Sequence, residues 1–116
     1  MDSNLFKALS DGSRLRIVAL LRDRAYCVKA LSLRLGLSEP AVSQHMKVLR
    51  DAGLVEGVKY GYYTHYRLNY AALEALGREL CALAAAPEEK KPCDAREDIG
   101  CPAALRDRAQ SDERGR

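Results

Sequence analysis

Residues 37–55 read LSEPAVSQHMKVLRDAGLV, and this stretch decides the fold. Ser38 offers a side-chain oxygen to the open N–H groups that begin a helix. Pro40 falls in the first turn, where a missing N–H costs nothing. Gly53 lies just past the expected helix end, where a residue at positive φ commonly closes the last turn. On a helical wheel Val42, Met46 and Leu49 share one face. Pro40, Ser43, Gln44 and Lys47 lie roughly opposite, and His45 sits at the border. A helix anchored on one side that offers Ser, Gln and Lys on the other has the chemistry to read base edges.

Working outward, Val28, Leu31 and Leu35 predict a short helix over 28–35, and Gly36 suits the turn that follows. Two short helices are thus joined by Gly36-Leu37-Ser38. Further upstream, Leu5, Phe6 and Leu9 predict a helix over 3–9. Ser10-Asp11-Gly12 interrupts it, and Ser10 or Asp11 can cap the next helix. That helix is expected to bury a stripe of Leu15, Ile17, Val18 and Leu21, with Arg22-Asp23-Arg24 ending it. Downstream the pattern switches to period two. Strands are predicted over 54–60 and 62–68, with Gly61 at the tip. Tyr62, Thr64, Tyr66 and Leu68 fall on one face; Tyr63, His65 and Arg67 fall on the other. Leu73, Leu76, Leu80 and Leu83 then line one side of a helix over 70–86, which Pro87 should stop. The fold class is mainly α with a β-hairpin wing, that is, a winged helix-turn-helix.

The remainder differs in character. Three of the four prolines and half the acidic residues lie in 87–116, with few large apolar side chains. A mobile, Cys-containing tail is expected there, with a short helix around 102–109. The chain of 116 residues is therefore divided into a DNA-binding domain, 1–86, and this tail. Residues 1–86 carry 12 Lys or Arg against 8 Asp or Glu, so the basic excess lies with the helices. No segment reaches the roughly 18 apolar residues needed to span a bilayer, and the start shows no secretory pattern. A cytoplasmic setting and no membrane partner are expected, with Cys27, Cys81, Cys93 and Cys101 reduced unless they bind metal or sense redox state. There is no GxSxG, no Gly-rich phosphate loop and no HExxH, so no enzyme is expected.

The expected partner is double-stranded DNA. Ser43 and Gln44 are the base readers, since Gln can bond both edge groups of adenine. Lys47 and Arg50 suit phosphates, and Ser38 stands at the helix start. His45 is placed with the DNA contacts, a packed edge residue being its other reading. Lys59 and Tyr62 flank the Gly61 tip, which can approach the backbone or minor groove. His65 is expected at the surface.

Three stretches in this order, FKALSDGSRLRIVALL, LGLSEPAVSQHMKVLRDAGLV and KYGYYTHYRL, resemble the ArsR/SmtB family of bacterial winged-helix repressors over roughly residues 4–83. The resemblance implies a homodimer with the first and last helices at the interface. It implies repression through a palindromic operator, with release of DNA when a metal or metalloid binds. Many relatives carry Arg at the hairpin tip, where this chain has Tyr60-Gly61-Tyr62.

The arsenite sensors of that family carry a CxCxxC-like cluster where this chain has Tyr26-Cys27-Val28-Lys29-Ala30-Leu31-Ser32; Lys29 and Ser32 replace two of the thiols. Cobalt- and zinc-sensing relatives use Asp and His on the last helix, and residues 69–83 contain no His. Sulfur remains. No obligatory cofactor is expected; the candidate inducer is As(III) or another soft thiophilic ion. Its ligands are Cys93, Cys101 and Cys27, with Cys81 as the alternative third. A repressor answering to thiol redox or reactive sulfur is the alternative, as is a dimeric interaction module that does not bind DNA.

Overall fold

The computed structural model describes residues 3–94, 96, 97 and 100. The chain divides into a unit Met1–Leu83 and a unit Ala84–Arg116. In chain order the elements are α1 Ser3–Leu9, α2 Gly12–Leu20, β1 Tyr26–Cys27, α3 Val28–Leu35, α4 Glu39–Asp51, β2 Val55–Tyr60, β3 Tyr63–Leu68 and α5 Tyr70–Ala84. The strands form one antiparallel sheet in the order β1-β3-β2.

Local chemistry explains each boundary around the helix pair. Ser38 Oγ accepts the Ala41 N–H at 3.2 Å, so Ser38 caps α4 as its residue type predicts. At the other end Gly53 takes φ 81°, and two bonds close the last turn: Gly53 N–H to Arg50 O at 2.9 Å and Leu54 N–H to Leu49 O at 3.0 Å. This pairing uses up carbonyls that the helix leaves open. Asn69 then joins α4 to α5. Its Nδ2 donates to Gly53 O at 3.0 Å while its Oδ1 accepts from Ala72 N–H at 3.2 Å. Tyr70 Oη donates to Arg22 O at 2.6 Å, tying α5 to the end of α2.

Val42, Met46 and Leu49 are fully buried, together with Ile17, Leu21, Leu31 and Leu54. The core therefore sits between α2, α3 and α4, with Val55 and Leu68 closing it from the sheet. Burying each such aliphatic side chain contributes about 1.5–3 kcal/mol. Among the described residues no helix is long and apolar enough to cross a membrane.

Several expectations are corrected. Leu15 is 51% exposed rather than part of the core stripe. Ile17, Val18 and Leu21 face inward, and at about 100° per residue Leu15 falls well over 90° from their mean direction. The two-residue strand β1 was too short to show a period; it pairs Tyr26 with Tyr66 and Cys27 with His65. The wing strands begin one residue later than predicted at both starts: the Leu54 N–H is taken up in closing α4, and Gly61 and Tyr62 together make the hairpin turn. Gly61 has φ 64° and Tyr62 is not at positive φ, which is the pattern of a two-residue loop with Gly first. Helix α5 ends at Ala84, three residues before Pro87, rather than at 86. The proline ring obstructs the carbonyl four residues earlier. His65 is half-buried rather than on the surface, and its Nδ1 is a buried side-chain atom with no hydrogen-bond partner. The strand β1, which the sequence pattern did not reveal, covers it from one side. In the second unit, Asp94 Oδ1 accepts the Arg96 N–H at 2.9 Å. The helix expected around 102–109, and Cys101, lie outside the described residues.

Candidate nucleic-acid interface

Helix α4 separates its two jobs by face. Val42, Met46 and Leu49 hold it to the core, while Ser43, Gln44, Lys47 and Arg50 are exposed. The polar set therefore forms a ridge directed away from the domain, with a hydroxyl, an amide and two cations along it. Ser38 is exposed at the start of the same helix. Its oxygen already accepts the cap bond, which leaves its O–H to donate. Glu39 is the single acidic residue in the first turn, so the N-terminal turn is not wholly cationic.

His45 occupies the border that its wheel position predicts. Its side chain is 22% exposed, and its Nδ1 lies 3.3 Å from Arg14 Nη1. A guanidinium can only donate, so Nδ1 accepts and the ring hydrogen belongs on Nε2. Asp11 Oδ2 stands 3.9 Å from the same nitrogen. Asp11 is the cap of α2 and accepts the Arg14 N–H at 3.0 Å. That backbone bond, more than the nearby guanidinium, holds its carboxyl below the usual aspartate range. Arg14 was not singled out in the sequence reading. The signal was present in the spacing of Asp11 and Arg14, three apart across a helix start, but its partner His45 is 31 residues away.

The wing supplies a second exposed element. Tyr62 is fully exposed at the tip, and Lys59 and Tyr60 are exposed beside it. Tyr60 packs edge-on against the His65 ring at 5.0 Å between centroids. Glu56 and Arg67 pair across the strands at 2.5 Å, which occupies the second wing cation. Lys59 is then the cation nearest the tip, with Tyr62 as a hydroxyl and ring at its end.

The described thiols are those of Cys27, Cys81 and Cys93. Cys27 ends β1 and begins α3 with no side-chain cap bond. It borders a groove of about 330 Å³ shared with Lys29, Leu33, Tyr63 and His65. Cys81 is exposed on α5, and Cys93 is exposed in the second unit. No group of three His, Cys, Asp or Glu side chains suited to one metal ion occurs among the described residues. A third surface is formed by other elements: Phe6 and Leu9 of α1 and Leu76 and Leu80 of α5 border an open, largely apolar groove.

Residues 11–57 match the model of the bacterial regulatory protein, arsR family. The chain is 44% identical over 66 residues to the arsenical resistance operon repressor of Escherichia coli K12, a match covering 56% of each chain. It thus spans little more than half the length of that relative. An ArsR-like transcriptional regulator from Rhodococcus sp. RHA1 superposes with TM-score 0.66 at 35% identity, covering 72% of this chain and 78% of that one. A homodimeric winged helix-turn-helix DNA-binding domain from Mycobacterium bovis, described as a possible ArsR-family regulator, superposes with TM-score 0.59 at 27% identity over 78% and 86% of the two chains.

Proposed function

Because this chain belongs to the arsR family of bacterial regulatory proteins, we propose that it is a DNA-binding transcriptional repressor acting as a homodimer on a palindromic operator. The observation that carries this reading is the exposed ridge Ser43-Gln44-Lys47-Arg50 on a helix whose opposite face is fully buried. Such a helix enters the major groove without loosening the domain. Ser43 and Gln44 read base edges, and Lys47 and Arg50 hold phosphates. Ser38 donates at the helix start, His45 sits at the groove's edge, and Lys59 and Tyr62 bring the wing to the backbone. The α1–α5 groove supports the dimer, since an open apolar surface of this kind favours a covering partner. A two-fold dimer in turn calls for an operator with matching half-sites.

The proposed inducer is As(III) or another soft thiophilic ion. Cys93 and Cys101 are its proposed ligands, with Cys27 as the third and Cys81, exposed on α5, as the alternative. Thiolates suit such ions through polarisable sulfur. Residues 1–86 act as the DNA-binding and dimerisation part and 87–116 as the thiol-bearing tail. Release follows from linkage: an ion that prefers the form with weak DNA affinity lowers that affinity by the same coupling factor, typically about 1–3 kcal/mol.

Fluorescence anisotropy of the reduced chain tests both layers, using labelled duplex from immediately upstream of its own gene. Preference for this duplex over random DNA is expected, with log affinity falling against log salt in proportion to the phosphates neutralised. Arsenite is expected to release the DNA from the native chain and not from Cys93→Ser/Cys101→Ser. A native chain that holds its DNA in arsenite overturns the metalloid reading alone; release by persulfide or peroxide instead then marks a redox sensor.

A further inference from the structure

Arg14 of α2 bonds to both α1 and α4, two elements that also pack on each other. Its Nε donates to Ala8 O at 2.5 Å and its Nη2 to Lys7 O at 3.2 Å, both in the last turn of α1. Its Nη1 donates to His45 Nδ1 on α4 at 3.3 Å. We infer that Arg14 is a positioning residue for DNA reading, which sets the seat of α4, and so of Gln44, by holding the His45 ring against the end of α1. The inference rests on the DNA-binding reading above.

The physical case has three parts. The last carbonyls of a helix lack intrahelical partners and carry the negative end of its dipole. A guanidinium there is held by two backbone oxygens in a fixed fork. Second, Asp11 caps α2 by accepting the Arg14 N–H, so the residue is pinned at its backbone as well as its side chain. Third, the contact with His45 has one possible polarity, because Arg only donates. The ring is therefore fixed in rotation and in tautomer. His45 adjoins Gln44 in sequence, on a helix whose buried face is apolar. Apolar packing resists separation of α4 from the core but is non-directional. The hydrogen-bonded joint supplies direction.

This distinguishes a positioning role from simple support. Bidentate base contacts need accurate placement of the helix, whereas contacts from flexible Lys and Arg to phosphates tolerate a shift. Loss of the joint should therefore lower affinity for the specific duplex and spare the non-specific one. A residue that merely stabilised the fold would lower both or neither.

The test uses the full reduced chain, with the upstream duplex and a random duplex of equal length. Arg14→Met is expected to bind the upstream duplex roughly tenfold more weakly, the scale of one hydrogen bond to a charged group, with random-duplex affinity and salt slope unchanged. His45→Gln retains an acceptor for Arg14 and is expected to lose less affinity for the upstream duplex than His45→Leu. His45→Leu should match Arg14→Met, and the double variant should be no worse than either single one. Imidazole ¹⁵N spectra should show the Nε2–H form of His45 in the native chain and lose that preference in Arg14→Met. Equal losses on both duplexes, additive losses in the double variant, or an unchanged His45 spectrum overturn the inference. If Arg14→Met fails to fold by circular dichroism, the Gln and Leu variants of His45 carry the test, and equal behaviour of the two overturns it. A native chain without preference for the upstream duplex sinks the DNA-binding reading itself; a native preference that the variants preserve sinks the Arg14 role alone.

Discussion

Gln44 and Lys47 stand three residues apart on the same exposed ridge, yet their chemistry predicts different losses. Gln44→Ala should cost about 1–3 kcal/mol on the cognate duplex and relax base preference there. Competition binding against single-base variants of the site checks this, and equal losses on cognate and random DNA would remove Gln44 from base reading. Lys47→Ala should weaken all DNA alike and lower the salt slope by about one, which a salt titration reads directly. Asp11 predicts a pH effect. Its folded carboxyl titrates below its ordinary value because the Arg14 N–H bonds the ionised form. Stability from this cap is thus fully present above the unfolded value of about 4 and is lost as pH falls through the lower, folded value. The melting temperature of the native chain relative to Asp11→Asn should be constant near neutral pH and fall below about pH 4. A gap that does not change with acid contradicts the assignment.

At the scale of elements, α4 was legible because every rule agreed on it. Ser38, Pro40, Gly53 and a clean three-residue apolar face all point to one helix with the observed limits, Glu39–Asp51. Leu49→Ala should therefore cost about 2–5 kcal/mol, as for a fully buried leucine, measured by urea unfolding; a loss under 1 kcal/mol would mean that the site collapses around the truncation. Helix α2 was less legible. Leu15 looked like core because i, i+3 spacing links it to Val18, but the direction of burial is set by which neighbours pack on the helix. In α5, Leu76 is buried while Leu80 is 44% and Leu83 71% exposed. A leucine stripe reports an apolar face without saying whether one chain or two will cover it.

For the whole molecule, the residues that border the α1–α5 groove are distinct from those of the α4 ridge, which suits the proposed dimer on two half-sites. Leu80→Glu should turn the proposed dimer into a monomer, because a carboxylate would be buried in the apolar contact, and should leave the helical content intact, because Leu80 is part-exposed in the single chain. Sedimentation equilibrium reads the first and circular dichroism the second. A dimer that persists in Leu80→Glu places the interface elsewhere. Affinity for a two-half-site duplex should fall with the dimer, since the second half-site then gains nothing from the first.

By itself, the sequence determined the helix pair, the wing, the apolar anchor of α4 and the polar set Ser43, Gln44, Lys47 and Arg50. These depend on caps, turns and periodicities that operate within a few residues, so short windows contain the whole cause. Tertiary structure alone decided what depends on distant neighbours. The strand β1 exists because Tyr26 and Cys27 meet Tyr66 and His65, about forty residues later. His65 is thereby set opposite Cys27, with the Tyr60 ring edge-on against its own. The Arg14–His45 contact joins residues 31 apart, and it forms only when the core has brought α1, α2 and α4 together. No local propensity encodes such a contact, because its partners become neighbours through the hydrophobic packing of other residues.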